Sequence, residues 1–247
     1  MKIWLLANDQ VGAQVAACLR ASGDDVTRLY LHAPAARKCE AEIRAAAGTP
    51  ASRVHSAEEI RDPGHLAAVA GDAPDFIVTV YWAHLLKPAF FQLARDTVNF
   101  NRGWFPHVHS ILDGTPTGVT LHRIDASADT GPIWAQRRVP LRDTDSASDI
   151  YFRLQDEMVR LFAETWPQIK AGQLMPTPQD QAKAVYHRKD EIDALDLVDL
   201  EGTGRVQDFI NRLRARTFGN RSFAYYLRDG KKYYLHLRVS ESSETGK

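Results

Sequence analysis

Apolar residues along the chain alternate between short continuous runs and segments with helical spacing. Lys2 to Ala7 is a run of the first kind. Asn8, Asp9, Gln10 and Gly12 follow it, and then Val15, Ala16 and Leu19 recur at helical spacing up to Gly23. Residues 26–31 form the next apolar run, so the opening reads as strand, turn, helix, strand. Such a βαβ unit implies a right-handed crossover and a parallel sheet. Helical composition then covers residues 35–47, and residues 56–70 carry Ile60, Leu66 and Val69 with breakers at Pro63 and Gly71. The run at 76–80 is continuously apolar, which fits a strand buried on both faces. Residues 98–100 read as the end of another buried strand, with further strands at 117–124 and 133–139 and a loop at 125–132 between them. The alternation predicts an α/β fold, with strands at 2–7, 26–31, 76–80 and 98–100 pairing in a parallel sheet flanked by helices.

The second half has a different texture. Residues 146–166 read as one long amphipathic helix through Ile150, Leu154, Met158, Leu161 and Phe162, with Asp145, Ser146 or Ser148 as cap and Pro167 near its end. Residues 172–184 read as a linker or an extended crossing, and 186–190 as a polar cluster with one aromatic. A second amphipathic helix is expected at 206–216. Residues 223–226 and 233–239 flank Arg228-Asp229-Gly230-Lys231, whose Asp-Gly pair signals a hairpin. The tail from Ser240 reads as disordered. The expected division is therefore a main α/β part at 1–185 and a small helix plus β-hairpin appendage at 186–247.

Composition narrows the classes of function. Lys plus Arg and Asp plus Glu each number 31, a formal net charge of zero, so bulk charge supplies no attraction to nucleic acid or membrane, and neither is expected as a partner. No apolar run approaches the roughly 18 residues of a membrane span. Cys18 and Cys39 lack metal-ligand spacing and read as thiols of a reducing cytoplasm, and no metal is expected. The turn after the first strand lacks the spaced glycines of a dinucleotide loop.

Candidate chemistry concentrates between Asp96 and Gln136. Asp125 and Asp129 place two carboxylates in a loop ending in Thr130-Gly131, and a carboxylate desolvated at a strand end can accept a proton from an amine nucleophile. Asn99, at the end of the preceding strand, offers an amide NH2 to a carbonyl oxygen that becomes an oxyanion. Ligands of open parallel sheets bind beyond the carboxyl ends of the strands, which makes Tyr81 and Trp82, directly after the 76–80 run, pocket candidates.

The motif Thr117-Gly118-Val119-Thr120-Leu121-His122, then Ile124-Asp125 and Asp129-Thr130-Gly131-Pro132-Ile133, preceded by Asn101-Arg102-Gly103 and a proline turn, resembles the 10-formyltetrahydrofolate-dependent formyltransferases. Within these the chain is most similar to the sugar N-formyltransferases, through residues 101–108 and 110–116, the 186–190 cluster and the terminal helix and hairpin. The resemblance implies a Rossmann-like sheet and transfer of a formyl group to the amine of a nucleotide-linked amino-dideoxy sugar. The expected substrate is of the dTDP-4-amino-4,6-dideoxyglucose type, made for surface polysaccharide. It also implies folate contacts from Tyr81, Trp82, Leu85, Asp125 and Asp129, catalysis by Asn99 and Asp129, and nucleotide-sugar contacts from Arg102, Trp104, Phe105, Tyr186 and Lys189. A homodimer through the hairpin is implied as well. Rival readings are another folate-dependent formyltransferase and a ligand-binding protein without turnover.

The family histidine does not carry over. In relatives it stands two residues after the asparagine, in a segment of roughly seven residues leading into Asn-Arg-Gly. Here Phe100 is joined directly to Asn101. Three readings stay open: a segment carried by the protein but closed over in this sequence, a true deletion in a relative that binds without turnover, and replacement by His107 or His109. The first is preferred, and it predicts a break in the chain path between Phe100 and Asn101.

Overall fold

The computed structural model describes residues 1–101, 106–127, 129–180 and 189–242. Seven strands form one sheet: β1 (Lys2–Ala7), β2 (Asp25–Leu31), β3 (Val54–Ser56), β4 (Phe76–Val80), β5 (Asp96–Asn101), β6 (Thr117–His122) and β7 (Ile133–Val139), in the order β3-β2-β1-β4-β5-β6-β7. The first five pair in parallel and β6 runs antiparallel to β5. The expected α/β, mostly parallel architecture is therefore present. Two departures are local. Residues 35–47 do not form one helix: Cys39 takes a positive φ of 53°, so only α2 (Glu40–Ala47) follows α1 (Asp9–Ala21) as regular helix. Residues 54–56 add the edge strand β3 ahead of the short α3 (Pro63–Val69), capped by Asp62, and α4 (Pro88–Phe91) precedes β5.

The expected break after Phe100 is absent. β5 continues through the junction, with Phe100 opposite Leu121 and Asn101 opposite Thr120 on β6. The chain path is continuous from Phe100 into Asn101.

The chain divides into two compact units. The first comprises Met1–Asn101, Val119–Arg137 and Asp156–Lys183, and the second Arg102–Gly118, Arg138–Gln155 and Ala184–Lys247. In the first, Trp4, Leu6, Tyr30, Ile60, Val69, Ile77, Leu86 and Phe90 form a continuous apolar cluster. In the second, Val108 and Ile111 of α5 (Pro106–Asp113) pack with Ile192 of α7 (Lys189–Asp193) and Ala215 of α8 (Val206–Ala215). Two short antiparallel strands, β8 (Thr217–Phe218) and β9 (Arg221–Ser222), follow α8, and then the hairpin β10 (Tyr225–Arg228) and β11 (Lys231–Tyr234). Asp229 and Gly230 both take positive φ, 51° and 71°, as a tight two-residue hairpin turn requires. Among the described residues no helix is long and apolar enough to cross a membrane. The tail residues 243–247 lie outside the description.

The long helix α6 (Ala147–Lys170) runs past Pro167 rather than ending at Trp166. Its last turns are held by tertiary contacts that outweigh the proline. Trp166 and Ile169 are buried, the Trp166 indole N–H donates to Asp24 Oδ2 at 2.6 Å, and the Lys170 ammonium lies 3.1 Å from the same oxygen. The other Asp24 oxygen takes the N-terminal ammonium at 3.1 Å. Breaking such a buried, multiply donated carboxylate costs about 3 kcal/mol. Asp24→Ala is expected to lower the unfolding free energy from urea titration by that amount, through a lower midpoint with an unchanged m-value, and a change below about 0.5 kcal/mol would show the network to be ornamental.

Candidate active site

Strand register builds the site. Thr79 of β4 lies opposite Asn99 of β5, and Asn99 lies opposite His122 of β6, so three polar side chains share one face across adjacent strands. The Thr79 hydroxyl donates to Asn99 Oδ1, which fixes the amide orientation. Asn99 Nδ2 then faces His122 Nε2 at 2.9 Å, while His122 Nδ1 lies 2.8 Å from the Arg123 carbonyl. A carbonyl can only accept, so the imidazole proton sits on Nδ1 and Nε2 accepts from the amide. Thr79 and His122 are buried. His122 takes one amide N–H of Asn99, and the other is the donor available to a ligand.

Asp129 completes the constellation from the β6–β7 loop. Its Oδ1 is 3.5 Å from His122 Nε2, and its side chain is about half exposed. The loop holds Asp129 at a positive φ of 59°, a conformation aspartate tolerates better than most residues. Several bonds secure it. Arg123 N–H donates to the Pro132 carbonyl at 2.8 Å, and Gln179 donates to the Asp129 carbonyl at 2.9 Å. Thr130 Oγ1 and the Ser127 N–H donate to the Asp125 carboxylate. Gly131 is required by contact rather than by φ: a Cβ there would lie 1.9 Å from the Arg123 carbonyl oxygen, the atom that orients His122. Asn99 and Asp129 thus meet in one place, as the sequence suggested, and Asp125 is the loop's internal acceptor.

Tyr81 and Trp82 leave the carboxyl end of β4 as expected. Tyr81 takes a positive φ of 54°, uncommon for an aromatic residue and worth about 1–3 kcal/mol of backbone strain. Trp82 lies against His32, ring centroids 4.4 Å apart, and its indole N–H is buried with no hydrogen-bond partner among the described residues. The His32 ring leaves a second buried donor, because the Ala83 N–H donates to Nε2 at 3.1 Å and Nδ1, which carries the proton, has no partner among the described residues. Two orphaned donors suit a ligand rich in acceptors, such as a folate ring system. Leu85 is exposed. Arg102, Trp104, Phe105 and Tyr186 lie outside the described residues, as does the Lys189 side chain. His107 and His109 are buried on α5 in the second unit, where His107 packs against Tyr151 and Phe218.

His122 is the member of this cluster that no motif reading of the sequence singles out. It was visible as the last residue of the Thr-Leu-His run. Only the β5–β6 register, which pairs it with Asn99, gives it a role.

Residues 8–165 match the family model described as formyl transferase, and residues 191–241 match that of the N-formyltransferase dimerization C-terminal domain. The chain belongs to the formyl transferase family. A dTDP-4-amino-4,6-dideoxyglucose formyltransferase of Mycobacterium tuberculosis is 35% identical over 139 residues, which is 56% of this chain and 59% of that relative. The matched stretch therefore spans about six-tenths of the curated relative's length. A sugar N-formyltransferase from Shewanella superimposes with a TM-score of 0.79 at 21% identity, covering 98% of this chain and 99% of that one. WlaRD, a sugar 3N-formyltransferase solved in the presence of dTDP and 5-N-formyl-THF, superimposes with a TM-score of 0.67 at 16% identity, covering 94% and 84%. These structural likenesses are of fold.

The candidate site carries a pH signature in stability. Burial, and then the neighbouring His84, push the His32 pKa down from 6.5 to about 4. Between those values the unfolded chain binds a proton at this position that the folded chain refuses. Stability is therefore lost as pH falls from about 6.5 to about 4, at up to about 1.4 kcal/mol per pH unit. His32→Gln keeps an acceptor for Ala83 and should flatten that part of the slope in urea midpoints measured from pH 7.5 to 4.5. Identical slopes in the two proteins would remove His32 from the account.

Proposed function

We propose that the protein transfers a formyl group from 10-formyltetrahydrofolate to the amine of a nucleotide-linked amino-dideoxy sugar, of the dTDP-4-amino-4,6-dideoxyglucose type. The observation that carries this reading is the convergence of Asn99, His122 and Asp129 on one face of the sheet. The M. tuberculosis relative's name supplies the sugar, and the ligands in the WlaRD structure support the dTDP and folate classes. Tyr81, Trp82, Leu85 and Asp125 are the residues assigned to the folate side. Arg102, Trp104, Phe105, Tyr186 and Lys189 are assigned to the nucleotide sugar. The co-substrate supplies the formyl carbon; the remaining work falls to the chain.

Asn99 donates its second amide N–H to the formyl oxygen as negative charge develops there. Asp129 accepts the proton that the attacking amine loses as the new C–N bond forms, and that proton is returned to the departing nitrogen as the old C–N bond breaks. His122, neutral and accepting at Nε2, keeps the amide turned toward the substrate. It acts as a positioning residue. The catalytic part is assigned to 1–185, and the segment 186–247 to a homodimer contact in a cytoplasmic enzyme of surface polysaccharide synthesis. The match at 191–241 supports the dimer, as does the exposure of Tyr233 and Tyr234 on the hairpin.

A second reading is favoured by one observation. β5 is continuous and the family histidine segment is absent from it, which suits a relative that binds both ligands without turnover. Assay of the purified chain with 10-formyltetrahydrofolate and a panel of nucleotide-linked amino sugars separates the two, and an intact mass matching 247 residues would establish the deletion. On the transferase reading Asp129→Asn lowers kcat by about a thousandfold while the fold is retained. Near-normal turnover in that variant would sink the assignment, and binding of both ligands with no turnover in the wild type would establish the second reading.

Solution mass gives a separate check. A homodimer is expected by sedimentation equilibrium, weakened by replacing Tyr233 and Tyr234 with Ser. A wild-type monomer at micromolar concentration would contradict the dimer assignment.

A further inference from the structure

At the far edge of the sheet from Asn99, three side chains from three successive short elements converge. His55 is the central residue of β3, paired in register with Tyr30 of β2 and stacked on its ring. Glu59 opens the next turn, and His65 lies on α3. Glu59 Oε2 stands 2.9 Å from His55 Nδ1 and 3.4 Å from His65 Nδ1, and one ligand atom from each residue lies within 4.8 Å of the other two. Tetrahedral zinc with bonds of about 2.0–2.1 Å needs ligand atoms about 3.3–3.4 Å apart. We propose that His55, Glu59 and His65 form a binding site for one zinc-type divalent ion, with water as the fourth ligand. The site is independent of formyl transfer.

Burial and surroundings fit that use. The His55 and His65 side chains are only 13% and 9% exposed while Glu59 is 39% exposed, so the imidazoles are held and one side stays open for water. The Ser56 N–H donates to Glu59 Oε1 at 2.7 Å, which leaves Oε2 as the ligand atom. Tyr30 Oη lies 3.1 Å from His65 Nε2. With the metal on Nδ1, the His65 proton sits on Nε2 and is donated to the tyrosine oxygen, an outer-shell contact that orients metal-bound histidines. Four spacings of about 4.8 Å separate β3 from β5, so the site lies about 19 Å across the sheet from Asn99.

Arg28 opposes the metal in the observed arrangement. Its Nη1 is 3.3 Å from His55 Nε2, and a guanidinium can only donate, so Nε2 is held as an acceptor and the proton is kept on Nδ1. Metal binding moves that proton from Nδ1 to Nε2 with no net release, and Nε2–H then faces Arg28. The arginine must turn away, while its other nitrogen keeps Asp72 at 3.3 Å. Arg28 therefore sets the affinity, and a glutamine in its place could accept from Nε2–H.

The test titrates the chelator-stripped full chain with Co2+ and then Zn2+ at pH 7.5. One equivalent of Co2+ with the visible absorption of a four-coordinate site, displaced by one Zn2+, is expected, and Zn2+ should raise the melting temperature. His65→Ala and His55→Ala should each weaken binding about a hundredfold, and Arg28→Gln should tighten it about tenfold. Asn99→Ala should bind as wild type does. Absence of stoichiometric uptake, uptake that survives loss of both histidines, or an Arg28→Gln protein with unchanged or weaker affinity would each overturn the proposal. If a histidine variant fails to fold, the wild-type Co2+ spectrum and the Arg28→Gln shift decide it.

Discussion

The register of β5 against its two neighbours is the constraint on which the site depends. β5 is parallel to β4 and antiparallel to β6, and Asn99 must keep both pairings at once. A slip of one residue on either side would turn its side chain to the opposite face and leave Thr79 or His122 buried without its partner. Each is a polar group whose lost hydrogen bond costs about 1–3 kcal/mol when no water can replace it. The same bonds that orient the amide therefore penalise the wrong register.

The loop carrying Asp129 is fixed to that row through one carbonyl. Arg123 O receives His122 Nδ1–H and lies against Gly131, while the Arg123 N–H closes the loop onto Pro132. The Arg123 guanidinium in turn pairs with Asp96 at the start of β5 and lies over the Trp134 ring, 5.1 Å from its centroid. Trp134 donates from its indole to the Thr97 carbonyl at 2.8 Å. The strand that presents Asn99 and the loop that presents Asp129 are thus braced by the same residues. A side chain at position 131 would displace the carbonyl and, with it, the imidazole.

Much of this frame was legible before the structure. Continuous apolar runs at 2–7 and 76–80 read correctly because those strands are buried on both faces and need no alternation. The Asp229-Gly230 turn read correctly because its backbone demand is local. Failures came where tertiary contacts overrule local preference. α6 passes Pro167 because Asp24, far away in sequence, holds Trp166 and Lys170. β3 is only three residues long and half-buried, so it carries no periodicity to detect. The break expected after Phe100 rested on comparison with relatives rather than on the residues themselves, and the β5–β6 ladder runs through that position. His122 stayed hidden because its role comes from a cross-strand neighbour that no spacing along the chain reveals.

That hidden histidine also limits what the site can do. With Nδ1 committed to a backbone carbonyl and Nε2 to the Asn99 amide, His122 cannot carry a proton without releasing one of them. In the proposed mechanism, moving it would free the very amide assigned to the formyl oxygen, at the moment when charge develops there. Asp129 has no such conflict: its carboxylate is partly open to solvent, and its position is set by backbone bonds to Gln179 and the loop rather than by its own oxygens. In the proposed mechanism, polarisation and proton transfer are therefore divided between two groups. In that mechanism the hydrogen-bonded row Thr79–Asn99–His122 serves the first through its fixed orientation, and the loop carboxylate, partly open to solvent, serves the second.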